Sequence, residues 1–214
     1  MWTVIRENTM KNIWPTVAVL ILNTGVLMAE PLTYPFQFAV VTPAALVAQE
    51  HSINGLRLNL LYGANENVNG MDLGLVNYTA QNHRGLQLGL INLVGGDLTG
   101  FNMGLVNWTG GKMAGSEVGF IDWADGEVSG TQDAFLLNVS RGKASYQFSL
   151  VMNWAYNVEG GQFGVVNRAT KMTGLQMGVI NIAGQLNGLQ IGLLNCALEK
   201  DSQWKVLPLV NVNW

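Results

Sequence analysis

The side chains in this 214-residue chain that could do chemistry are few and scattered. His51 and His83 could ligate a metal or move a proton, but neither has a partner ligand at regular spacing, so both read as solvated residues of polar connections. Asp122, Asp125 and Glu127 cluster around Gly126 without the alternating oxygen ligands of a calcium loop, and read as a solvated turn. Ser116 lies outside any Gly-x-Ser-x-Gly elbow, and the chain has neither a phosphate loop nor a dinucleotide fingerprint. The single cysteine, Cys196, permits no intramolecular disulfide and stands too far from the start to anchor a lipid at a mature N-terminus. The expectation is a protein with no catalytic residues and no cofactor.

What does recur is an amide. Asn77, Asn92, Asn107, Asp122 in place of asparagine, Asn138, Asn153, Asn167, Asn181, Asn195 and Asn211 follow one another at gaps of 15, 15, 15, 16, 15, 14, 14, 14 and 16 residues. A side-chain amide both donates and accepts, so asparagines stacked at one corner can bond up and down their column at about 1 kcal/mol net per bond.

The elements that would hold such a column are strands. Units such as Gly85-Leu86-Gln87-Leu88-Gly89-Leu90-Ile91-Asn92 and Gly188-Leu189-Gln190-Ile191-Gly192-Leu193-Leu194-Asn195 alternate with period two, apolar at the second, fourth and sixth positions and polar at the third. A fifth-position glycine, as at Gly74, Gly89, Gly104, Gly119, Gly164, Gly178 and Gly192, would weaken a helix by about 1 kcal/mol each but suits a close backbone approach in a strand. Connections of six or seven residues, rich in turn formers, usually carry one apolar residue such as Leu98, Met113, Val128, Met172 or Leu186. The fixed period marks an all-β repeat protein of ~15-residue units.

Two architectures use such a repeat. In a β-solenoid each unit is one turn, like stacks on like every ~4.7–4.9 Å, and eleven turns make a rod roughly 50 Å long. Stacked Leu, Met and Val would then fill the interior at about 1.5–3 kcal/mol per side chain. The third-position column Arg57, Asp72, Gln87, Asn102, Glu117, Gln162, Gln176 and Gln190 would form a polar outer face. In an antiparallel outer-membrane β-barrel the apolar positions would face lipid instead, and the closing Val210-Asn211-Val212-Asn213-Trp214 resembles a terminal barrel strand. Connections of one kind along the chain, and strict segments of eight residues against the ~9–11 a spanning strand needs, favour the solenoid.

Solenoid ends need covers. Residues 30–54, with Pro35 and Pro43 in an alternating stretch, suit an N-terminal capping strand and its connection; residues 55–214 form the repeat domain, and Pro208 in the glycine slot of the last unit suits a terminator. The units ending at Asn138 and Asn153 hold an extra residue and lack the fifth-position glycine, which predicts bulges. The residue after the asparagine is aromatic at Tyr78, Trp108, Trp123 and Trp154, a candidate contact column that could stack on sugars or lie at a lipid interface. Its replacement by Leu93, Val139 and Ile182 elsewhere also fits buried corner packing. Sequons at Asn77, Asn107 and Asn138 follow from the repeat itself.

Residues 1–29 read as a secretory leader: Arg6 and Lys11, an apolar run over 13–28, then Ala29 at the cleavage point. Translation from Met10 would give a conventional leader by itself, and a retained anchor is the other reading of the run. Removing Arg6, Lys11 and Glu7 changes the formal charge from 11 − 14 = −3 to 9 − 13 = −4, which leaves no basic stripe for nucleic acid.

The stretch Phe38-Ala39-Val40-Val41-Thr42-Pro43, then Asn54-Gly55-Leu56-Arg57-Leu58-Asn59-Leu60-Leu61-Tyr62-Gly63, the serial Gly-Leu-Gln-x-Gly-x-x-Asn units and the closing Leu207-Pro208-Leu209-Val210-Asn211 resemble the bacterial surface-repeat proteins typified in leptospires. The resemblance spans the mature chain and implies export to the cell surface or outer membrane of a Gram-negative-type bacterium, with no known activity. The expectation is an exported, non-enzymatic repeat protein with a structural or partner-binding role, its partner the outer membrane, a glycan or another envelope protein. A small integral barrel, as pore or anchor, is the alternative.

Overall fold

A computed structural model describes residues 32–199 and 204–214 of the chain; the leader expected over 1–29 lies outside the described residues. Every regular element among them is a strand: β1 (Thr33–Val41), β2 (Ala44–Ala45), β3 (Ser52–Asn65), β4 (Val68–Thr79), β5 (His83–Leu88), β6 (Ile91–Val94), β7 (Leu98–Met103), β8 (Val106–Thr109), β9 (Met113–Ala124), β10 (Val128–Ser149), β11 (Met152–Phe163), β12 (Val166–Met177), β13 (Ile180–Ala197) and β14 (Val206–Asn213). The main path runs β14-β13-β12-β11-β10-β9-β7-β5-β4-β3-β1-β2, while β6 and β8 join β4 to β9 alongside it.

Pairing along the repeats is parallel and joins each residue to its own counterpart one unit later, as in Gly85 with Gly100, Gln162 with Gln176 and Asn167 with Asn181. The fold is a β-solenoid of about eleven turns. The antiparallel barrel is thereby excluded, since barrel neighbours run in opposite directions. All these pairings lie inside the compact unit Thr33–Trp214, which carries its own core and its own edge strands.

Glycine sets how closely turns approach. At Gly100 the backbone has φ 133°, and a side chain would run into the carbonyl oxygen of Gly85 one turn earlier. The fifth-position glycine answers a different demand: a Cβ on Gly89 would lie 2.6 Å from Asn77 Nδ2 and 2.6 Å from Asn92 Oδ1. That position therefore points inward.

The alternation faces the opposite way from the expectation. Each regular turn buries four side chains, such as Leu98, Asn102, Asn107 and Thr109, or Met113, Glu117, Asp122 and Ala124. The third-position column, expected outside, is fully buried from Arg57 through Gln190. The second, fourth and sixth positions, expected inside, are turned outward, with Leu90 48% and Leu105 46% exposed. Burying an amide is costly only when it goes unpaired, and in-register stacking supplies most of them with a partner, Asn102 being the exception. Apolar filling comes instead from the short connections: Leu98, Met113, Val128, Ala144, Val158, Met172 and Leu186 pack with Val94, Ala124 and alanines in the turns beyond.

The ends and the middle depart from the regular turn. β1 adds in parallel to β3, with Phe36 beside Leu56 and Phe38 beside Leu58. β14 reverses and pairs antiparallel with β13, so Asn211, expected in the asparagine column, meets Gln190 of the glutamine column. Its segment is a reversed closing strand and not a further turn. Register shifts between Ala134 and Leu137, and between Ser140 and Lys143, fall in the long β10, where the repeat has its extra residues.

Candidate functional site

Two features could carry function: the columns inside the coil and the columns outside it. Inside, Asn77 Nδ2 donates to Asn92 Oδ1 at 2.9 Å, Asn92 to Asn107 at 2.9 Å and Asn107 to Asp122 Oδ1 at 2.7 Å. A second run starts at Asn138 and passes through Asn153, Asn167 and Asn181 to Asn195 at 2.8–2.9 Å. The other amide hydrogen goes to a main-chain carbonyl, as from Asn92 to Met103 at 2.8 Å. The glutamine column runs the other way: Gln190 donates to Gln176, then Gln162, Gln147 and Gln132 at 2.7–2.9 Å, and Gln132 ends on Glu117 Oε2 at 3.1 Å. The two ladders thus align their amide dipoles in opposite senses, and two carboxyl groups on β9 receive their ends.

Charge inside the coil is confined to the N-terminal half of the described unit. Arg57 forms a bidentate pair with Asp72, Nε to Oδ1 at 2.7 Å and Nη2 to Oδ2 at 2.6 Å, both side chains fully buried. Arg57 Nη1 also donates to the Tyr78 carbonyl at 2.9 Å, and Asp72 accepts from Gln87 at 2.9 Å. On β9, burial pushes the Glu117 carboxyl up to about 7 against the bonds it accepts from Thr109 and Gln132. Burial, then the nearby Glu117 charge, pushes Asp122 up to about 8 against the bond from Asn107. His83, expected in a solvated connection, occupies the slot of Leu98 and Met113, and burial holds its imidazole down at about 4.

These ionisable groups are sealed from solvent; Arg57, Asp72, Glu117 and Asp122 are bonded within the stack, and His83 is buried with neither ring nitrogen hydrogen-bonded. The acidic trio does not converge: Asp122 points inward, Asp125 takes the indole N–H groups of Trp108 (3.1 Å) and Trp123 (2.9 Å), and Glu127 pairs with Lys143 at 3.1 Å. Among the described residues no group of three or more His, Cys, Asp or Glu is placed to hold a metal ion. No helix among them is long and apolar enough to cross a membrane.

Outside, Tyr78, Trp108, Trp123 and Trp154 are half-buried on the outer surface rather than in the core. They do not form an unbroken ladder, since Leu93 and the buried Val139 interrupt the column. Arg141 lies 5.0 Å over the Trp123 ring and bonds Asp125 at 3.1 Å, so that ring is held in a local cluster.

Beside this column runs a ridge. The chain bends at residues 89–90 and 104–105, and the sixth-position residues at these corners stack from turn to turn as Leu75, Leu90, Leu105, Phe120, Phe135 and Leu150, each 44–59% exposed. On its flank the Phe148 and Phe163 rings stack 4.9 Å apart. The ridge and the buried glutamine ladder are the features the repeat pattern alone misplaces. Their signal is that Gln87 shares its face with Gly89, a residue with nothing to present to solvent.

Comparison with protein-family models finds no match; no curated protein matches the sequence and no solved structure matches the fold.

Proposed function

We propose that this is an exported, non-enzymatic protein of the bacterial cell surface or outer membrane, a rigid rod that binds or spaces partners through its outer columns. The observation that carries this reading is the inverted alternation: most amides and carboxyls and Arg57 are turned inward and bonded into the stack, His83 is buried among them, and leucine, valine and phenylalanine are presented outside. An enzyme keeps its polar groups accessible to substrate and leaves them poised. Here most of the polar groups at regular positions hold up neighbouring turns.

The leader over residues 1–29 and the resemblance to surface-repeat proteins support export. The test is fractionation of the native cells with protease shaving. Cleavage after Ala29, recovery with the envelope and digestion in intact cells are the expected results. An uncleaved chain recovered from the cytoplasm refutes the reading.

A further inference from the structure

The ridge is too large and too uniform to be ordinary surface. With Leu60, Val165, Val179 and Leu193 continuing it at both ends, the ridge spans ten turns at ~4.8 Å, each contributing about 17 Å of strand from its second to its seventh position, an apolar band of roughly 800 Å². The largest apolar patch on a typical monomer is about 300–600 Å². Within that band the outward residues include one charged side chain, Asp133; Arg57, Asp72 and Glu117 lie in the same segments but are buried. Across the corner from it the surface turns polar, with Asn69, Arg84, Thr99 and Ser129 exposed. The rod is amphipathic in cross-section.

We infer that the ridge inserts into the interfacial layer of a lipid bilayer, so that the rod lies on the membrane along its length. This rests on the envelope reading above and names its partner. Shape and charge both select lipid. The apolar residues sit at and on both sides of a bend in the chain, which makes the band convex. Two copies brought together by convex ridges touch along a line, whereas acyl chains close around both flanks. The band is uncharged apart from Asp133, and cations are not gathered at its border, which suits neutral headgroups over anionic ones.

The aromatic column completes the match. Trp108 and Trp123 adjoin the ridge with their N–H groups drawn toward Asp125, so each indole has an apolar body on one side and a satisfied polar edge on the other. That is the arrangement aromatic residues take at a membrane–water boundary.

The test is flotation of residues 30–214 with phosphatidylcholine vesicles, read together with size-exclusion elution. A ridge variant carries L75E, L105E and L150E, in non-adjacent turns so that the new charges do not stack. A control carries N69E, T99E and S129E, adding the same charge to the polar side. All six positions are exposed, or nearly half-exposed in the ridge, and circular dichroism checks that both variants fold. The wild-type chain and the control should float, and the ridge variant should partition about a hundredfold less, from three half-exposed side chains no longer entering hydrocarbon. Equal flotation of the ridge variant overturns the inference. So does a wild-type chain that stays unbound, whether as a monomer or as a dimer that the ridge variant dissolves, the latter identifying a second copy as the occupant. If flotation fails while protease shaving still finds the protein on intact cells, only the lipid assignment falls.

Discussion

Asp122 and Asn138 face each other in register across β9 and β10, and each turns an unpartnered, buried acceptor oxygen into the stack, Oδ2 of Asp122 and Oδ1 of Asn138. Two acceptors in that relation repel unless one carries a proton. With the Asp122 carboxyl pushed up to about 8, its protonated form supplies the hydroxyl that joins Asn107 above to Asn138 below, and one ladder then runs from Asn77 to Asn195. Asp122→Asn supplies the same donor without a proton. At pH 9 the variant should be more stable than the wild type by about 1–3 kcal/mol, the cost of an unsatisfied buried group. At pH 5 the two should agree within about 0.5 kcal/mol. Denaturant unfolding at both values decides, and an equal difference at both refutes the protonated ladder.

The same chemistry gives the whole domain an unusual pH dependence. Glu117 and Asp122 titrate near 4 when unfolded and at about 7 and about 8 when folded, so between these limits the folded state holds protons that the unfolded state has lost. Their contribution is full below pH 4 and is lost as pH rises through 8. His83 works the other way, because its folded value of about 4 lies below its ordinary 6.5 and stability from it grows over that interval. Two carboxyls outweigh one imidazole, so stability should fall from pH 5 to pH 8, most steeply once His83 ceases to oppose it above about 6.5. A melting temperature that rises over that range contradicts the assignment.

Close approach of turns predicts a sharp asymmetry among small substitutions. Gly100→Ala places a methyl group against the Gly85 carbonyl at φ 133° and should cost about 2–3 kcal/mol. Ser145 stands in the same column, between Gly130 and Gly160, where β10 and β11 shift register. Ser145→Gly should therefore change stability by less than about 1 kcal/mol. Paired denaturation curves of the two variants test the contrast.

How much of this was legible follows from what period two can and cannot say. The stacking of Asn92 on Asn107 and the bulges in the units ending at Asn138 and Asn153 are readable, because self-similar spacing fixes which residues become neighbours. Alternation carries no sign: it separates Leu86 and Leu88 from Gln87 without saying which set faces inward. Assuming that leucine is buried reverses the answer here, since a column of amides satisfies itself. His83 is misread for the same reason, being judged by its polar flanks when its column partners are Leu98 and Met113. The reversal of β14 depends on pairing beyond the repeat and has no counterpart in the spacing that places Asn211.

The Arg57–Asp72 pair stands where the regular repeat would put two glutamines, which gives a direct test of what holds the column together. Removing one partner leaves the other charge buried and unpaired, so Asp72→Asn should destabilise the domain by about 3–5 kcal/mol. Replacing both by glutamine removes both charges and puts two amides in register with Gln87, which can still donate to position 72. The double variant should recover most of the loss and come within about 1 kcal/mol of the wild type. If it remains as unstable as Asp72→Asn, the guanidinium's bonds to the Tyr78 carbonyl and Thr79 are the stabilising contacts, and the ion pair is not an interchangeable rung. Recovery would instead show that the interior selects for continuous hydrogen bonding and accepts a buried charge only as one way of providing it.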